Sequence, residues 1–150
     1  MKKLKIYLDT SVIGGCFEED FEEYSNKLFE FFKNGTYTAV ISSVVIYELS
    51  RAPEKVRAKL AETNYEEIQV TEEMKALADK YMEESIVTKK YYDDALHISI
   101  ATVLKVDVLV SWNFKHIVNF DKINKFNSVN IREGYGHLEI RTPQEAIKYE

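Results

Sequence analysis

The chain has 150 residues, 45% apolar and 30% charged, which predicts one globular domain over residues 1–150 with a substantial core. It contains no run near the roughly 18–20 apolar residues of a membrane span, and its N-terminal apolar stretch, broken by Lys5 and Asp9, is too short for a signal peptide. One cysteine, Cys16, excludes an internal disulfide and fits a reducing, cytoplasmic compartment; the net charge of −5 argues against broad electrostatic attachment to nucleic acid, though not against an enzyme whose carboxylates hold cations.

Residues 3–8 read as a first strand, ending at Asp9. Over residues 21–33, Phe21, Tyr24, Leu28, Phe31 and Phe32 fall near one helical face, and Asn34-Gly35 stops that helix. Thr38 to Ser42 is an apolar run of strand length. Ser43 is placed to cap a short helix through Ser50, and Pro53 to open another to about Thr63. Residues 66–70 read as a short strand, and Thr71 as the cap of a helix to about Ser85. Residues 92–104 are apolar almost all round after two aspartates, as in a buried helix. A strand from Val106 to Ser111, a short helix over 117–126, and late strands at 128–132 and 138–141 follow. Thr142-Pro143-Gln144-Glu145 has the form of a capped helix start. Strands alternating with helices predict an α/β fold, a parallel sheet covered on both faces. Such sheets bind ligands beyond the C-terminal ends of their strands.

Four residues fall at that edge. Asp9 ends the first strand, Glu48 lies on the helix after the second, Asp94 opens the buried helix, and Asn113 follows the strand VDVLVS. They come from four separate segments, so no local turn accounts for their joint placement. Oxygen donors of this kind suit Mg²⁺ or Mn²⁺, and the natural work of such a site is phosphoryl transfer. Asp9 and Asp94 are then the primary ligands, and Glu48 holds metal-bound water or acts as a base. Asn113 is a neutral amide. Taken singly, each has a plain alternative: Asp9 as a turn former, Glu48 as a solvated helix residue, Asp93 and Asp94 as first-turn charges.

The segments YLDTSVIGG, ISSVVIYELSRA around Glu48, YYDDALHISIA around Asp94 and VDVLVSWNFKHI around Asn113 resemble the PIN-domain family. The likeness is to the VapC-like ribonuclease toxins of type II toxin–antitoxin pairs and their stand-alone relatives, over roughly residues 4–147. The resemblance implies a three-layer α/β/α sandwich with a central, mainly parallel sheet. It implies an endoribonuclease dependent on Mg²⁺ or Mn²⁺, an RNA substrate, an antitoxin partner and a homodimer. By motif, Asp9, Glu48 and Asp94 match the first three acidic positions, and Asp94 is preferred to Asp93 because it directly precedes Ala-Leu-His. The fourth position, commonly an aspartate in Thr-x-Asp, reads Ser111-Trp112-Asn113 here. That departure leaves a second reading open: a binding protein on a PIN scaffold with a weakened or lost nuclease site.

Other features divide between function and structure. Thr10 and Ser11 either orient Asp9 or bond their own backbone in a turn. Gly14-Gly15 either lets a substrate backbone approach or, the favoured reading, relaxes a turn into the next helix, and no Gly-Lys-Ser/Thr follows to make a P-loop. His97 reads as a buried, hydrogen-bonded histidine rather than a ligand, and forms no metal-spaced pair with His116 or His137. Trp112, Tyr91 and Tyr92 read first as packing residues, and Lys89, Lys90, Lys115 and Arg51 as a solvated face or phosphate contacts. A haloacid-dehalogenase-type phosphatase needs an aspartate where Ser11 stands, and a nucleotide-binding Rossmann protein needs a G-x-G-x-x-G that the chain lacks.

Overall fold

In the computed structural model, residues 3–149 are described. Five strands form one sheet in the order β3-β2-β1-β4-β5, all parallel: β1 (Leu4–Leu8), β2 (Tyr37–Ser42), β3 (Tyr65–Ile68), β4 (Val108–Val110) and β5 (Ile140–Arg141). The chain builds outward from β1 to β2 and β3 on one side. It then returns to add β4 and β5 on the other. The order of strands therefore reverses between β1 and β4, whose paired residues Leu8 and Val110 end side by side. In an open parallel sheet that junction is the ligand-binding crevice.

Strand alternation sorts side chains into two layers. Ile6, Leu8, Ala39, Ile41, Val108 and Val110 face one core with α1 (Thr10–Gly14), α2 (Glu22–Lys33), α3 (Ser43–Leu49) and α4 (Glu54–Ala61). Tyr7, Val40, Leu109 and Ile140 face the other, covered by α5 (Glu72–Glu83), α6 (Tyr92–Leu104) and α7 (Phe120–Arg132). A short α8 (Pro143–Ala146) and a single 3₁₀ turn (Ile147–Tyr149) close the described chain. The inner strands are buried on both faces, so they read as continuous apolar runs. β3 is the exposed edge, and Glu66 and Glu67 on it deter pairing with another strand. Among the described residues no helix is long and apolar enough to cross a membrane.

Most predicted elements appear within a residue or two of their expected bounds, and helix 92–104 appears as read. Thr71 accepts from the Met74 N–H, and Thr142 and Glu145 form a reciprocal capping box. Three expectations are corrected. The helix after β2 has Ser42, not Ser43, at its N-cap, and the Ser42 hydroxyl does not cap it, being bonded to the Tyr7 hydroxyl. Pro53 precedes α4 rather than opening it. Residues 128–132 are not a strand but the last turns of α7. The alternating Val129 and Ile131 mimic strand periodicity, yet Ile131 is exposed, and the buried residues Phe126, Val129 and Asn130 follow helical spacing.

That face of α7 is held by amides as well as apolar contacts. Asn127 pairs with the backbone of Leu138 through both ends of its side chain. Asn130 donates to the Thr102 hydroxyl and accepts from the Tyr81 hydroxyl. All three partners are buried, so truncating one strands the others without water. Asn130→Ala is expected to lower stability by about 2–3 kcal/mol, read by urea unfolding as a lower midpoint with an unchanged slope.

Candidate active site

Asp9 follows β1 at the point of strand reversal and is 4% exposed. Burial without partners would be costly for a carboxylate. Two hydroxyls supply them: Ser11 Oγ donates to Oδ1 and Ser111 Oγ donates to Oδ2, each at 2.6 Å. Each hydroxyl oxygen in turn accepts a backbone N–H at 2.9 Å, from Trp112 and Asn113 respectively. The two loops that follow β1 and β4 are thereby laced together through one carboxylate.

Glu48 stands on α3, and its Oε1 takes two donors, Thr10 Oγ1 at 2.6 Å and His97 Nε2 at 2.9 Å. His97 is buried, and its Nδ1 meets the Tyr7 hydroxyl at 2.7 Å, which meets Ser42 Oγ at 2.7 Å. With the imidazole protonated, protons run consistently from Nε2 to Glu48, from Nδ1 to Tyr7 and from Tyr7 to Ser42. His97 is the buried, bonded histidine that the sequence favoured, and Thr10 holds Glu48 rather than Asp9.

Asp94, in the first turn of α6, shows the same one-sided pattern. Its Oδ2 receives His116 Nδ1 at 2.9 Å and Asn113 Nδ2 at 3.3 Å. Asp93 beside it is exposed, whereas Asp94 is partly buried. Among the described residues, neither Glu48 Oε2 nor Asp94 Oδ1 accepts a hydrogen bond from the protein.

The charges of these groups act on one another. Burial pushes the Asp9 carboxyl above its usual range, with His97, Ser11 and Ser111 pulling back and the charge of Asp94 adding to the rise. Asp94 is likewise raised by burial, against the pull of His97 and His116 and with repulsion from Glu48. Burial would also raise Glu48, but the bond and charge of His97 and the Thr10 hydroxyl outweigh it and hold the carboxyl below its usual range. For His97 burial favours the neutral ring, yet Glu48, Asp9 and Asp94 together raise it.

The structure thus gathers Asp9, Glu48, Asp94 and Asn113 around one crevice. Among the described residues no three histidine, cysteine or carboxylate side chains stand together as a metal-ligand set. The donors nevertheless fit a hard divalent cation by their chemistry: all are oxygens, two carboxylates each keep one oxygen open, and two are held uneasily charged by burial and mutual repulsion.

Two contributions escaped the sequence reading. His116 bonds Asp94 from a different segment, and its ring lies against Tyr91 with centroids 3.9 Å apart; no spacing signals that contact. Gly15 serves a close approach rather than a turn. A Cβ there would stand 2.8 Å from Trp112 Nε1 and 2.7 Å from Ser25 Oγ. The Trp112 indole fills that space, donating to Ser25 at 2.8 Å and stacking on Phe21 with centroids 4.4 Å apart.

The His97–Glu48 pair has a defined pH window. Glu48 is depressed by folding, so its contribution is complete above the unfolded glutamate value of about 4.3 and is lost as pH falls through the lower folded value. His97 is raised, so its contribution is complete below about 6.5 and is lost as pH rises through the higher folded value. The gap in unfolding temperature between the wild-type chain and His97→Gln is expected to be widest between about pH 4.5 and 6.5 and to narrow on the alkaline side. A gap that does not change from acid to alkaline pH contradicts the pairing.

The model of the PIN domain family matches residues 6–123. No curated protein sequence matches the chain. Among solved structures, it is similar to VapBC2 from Rickettsia felis bound to a DNA fragment from their promoter, with 22% identity, a TM-score of 0.60, and coverage of 93% of this chain and 98% of that one. It is similar to a toxin–antitoxin complex from Klebsiella pneumoniae, with 15% identity, a TM-score of 0.57, and coverage of 74% and 88%. It is also similar to VapC20 from Mycobacterium tuberculosis, a sarcin-ricin loop cleaving toxin, with 13% identity, a TM-score of 0.52, and coverage of 74% and 92%. These likenesses are of fold, while the family match runs from β1 into α7 and takes in Asp9, Glu48, Asp94 and Asn113: the chain belongs to the PIN domain family.

Proposed function

We propose that this PIN-domain protein is a divalent-metal-dependent endoribonuclease, the toxin of a type II toxin–antitoxin pair. It would act on RNA with Mg²⁺ or Mn²⁺ at Asp9, Glu48 and Asp94, as a homodimer neutralised by an antitoxin. The observation that carries this reading is the one-sided bonding of Glu48 and Asp94 beside the buried Asp9. One oxygen of each is saturated by two donors and the other is open. The toxin assignment is supported by family membership and by fold likeness to a VapBC assembly and to a sarcin-ricin loop cleaving toxin.

A bound divalent cation supplies Lewis-acid charge at a phosphate and lowers the pKa of a water. Asp9, Asp94 and Glu48 would hold it. The paired hydroxyls of Ser11 and Ser111 keep the Asp9 carboxylate in place. His97 holds a proton at Nε2 against Glu48 and so restrains that carboxylate from turning. The exposed Lys89, Lys90 and Lys115 flank Asp94 and Asn113 in the chain and are available to RNA phosphates. Asp9→Asn is expected to lower Mn²⁺-dependent cleavage of a mixed RNA pool by about 10³-fold, the several kcal/mol of metal-borne charge stabilisation. Wild-type protein that cleaves no RNA with either metal sinks the nuclease reading.

A second reading, a PIN-scaffold binding protein with a weakened site, draws on Asn113, which brings no charge. Calorimetry with Mn²⁺ separates the two: binding that Asp94→Ala abolishes favours the nuclease, and a wild-type chain that takes up no Mn²⁺ favours the binding protein.

A further inference from the structure

A carboxylate in the first turn of a helix ordinarily serves the free N–H groups there. Asp94 does not: α6 has no side-chain cap, and Asp94 Oδ2 is instead met from the segment after β4. His116 Nδ1 reaches it at 2.9 Å and Asn113 Nδ2 at 3.3 Å. The amide orientation is fixed by its other end. Asn113 Oδ1 accepts the His116 backbone N–H at 2.9 Å, so the nitrogen is the atom that faces Asp94. The histidine is also constrained. It is 9% exposed, its ring lies against Tyr91, and an ionised carboxylate beside Nδ1 requires the proton on that nitrogen. The two donors are thus tied to each other as well as to one oxygen. Asp94 Oδ1 receives nothing from the described residues.

We propose that Asn113 and His116 are positioning residues, a two-donor clamp that fixes the Asp94 carboxylate by Oδ2 and reserves Oδ1 for a divalent cation. The clamp rests on the reading of Asp94 as a metal ligand. It gives Asn113 a task of its own, as a donor rather than a ligand that has lost its charge. An aspartate there would keep the bond to the His116 N–H but would set a second carboxylate oxygen against Asp94 Oδ2. Outer partners of this kind typically change metal affinity by about 10–100-fold.

The test is titration calorimetry of Mn²⁺ into the full chain, with thermal unfolding of each metal-free variant alongside. His116→Phe keeps an aromatic ring against Tyr91 and removes the donor. His116→Asn returns an amide N–H near the place of Nδ1, and Asn113→Leu removes the second donor. His116→Phe and Asn113→Leu are expected to bind Mn²⁺ about 10–100-fold more weakly, a loss out of proportion to any fall in unfolding temperature, with His116→Asn recovering most of the loss. Wild-type affinity in both donor-free variants, with binding still abolished by Asp94→Ala, overturns the clamp and leaves the metal reading standing. Affinity that falls only in step with unfolding temperature also overturns it, being the mark of a purely structural role. A wild-type chain that binds no Mn²⁺ overturns the metal reading and the clamp together.

Discussion

Asp9 is a carboxylate placed where water barely reaches, at the junction of the two halves of the sheet. A buried charge must be compensated on the spot, and the hydroxyls that do so have no freedom of direction. Ser11 and Ser111 each accept a backbone N–H, which leaves the hydroxyl proton for Asp9. The backbone of Trp112 is thereby fixed against Ser11, and its indole occupies the space that Gly15 leaves beside Ser25 and Phe21. A single carboxylate thus dictates the course of both loops that border the crevice.

The second support crosses the sheet. Tyr7 points from β1 into the layer under α5–α7, whereas Leu8 faces the layer under α1–α4. Through His97 that tyrosine reaches Glu48, which stands on α3 of the opposite layer. The crevice is therefore braced from both layers, and Glu48 is held by a helix and a strand that do not precede it directly in sequence. Burial keeps the Tyr7 phenol protonated well above its usual range, so the brace keeps its hydroxyl proton under any ordinary condition.

Much of this was legible in the residues. The parallel sheet followed from alternating apolar runs and helical periodicity. The four positions at the strand ends followed from the rule for such sheets. The motif selects position 94 rather than 93, and of the two Asp93 is the exposed one. What was not legible has physical causes. Val129 and Ile131 carry strand propensity, but the buried amides of Asn127 and Asn130 and the ring of Phe126 commit the segment to a helix, a tertiary preference that local pattern does not contain. Ser42 reads only as the end of a strand, but its hydroxyl is taken by a tyrosine on the neighbouring strand. His116 carries no metal spacing, because its partner belongs to another segment, and Gly15 looked like a turn glycine because the indole it accommodates lies far along the chain.

The bonds that define the crevice span long stretches of chain: 102 residues separate Ser111 from Asp9, and 90 separate His97 from Tyr7. Closing such loops is slow relative to local helix formation. During synthesis, the N-terminal strands and their helices can emerge and pack while Asp9 still lacks one of its two hydroxyls and Asp94 lacks both its partners. The crevice exists only once β4 and the segment through His116 have left the ribosome. A nascent or prematurely ended chain therefore lacks the complete crevice, and the completion of β4 and the segment through His116 sets the earliest moment at which Asp9 and Asp94 gain all their partners.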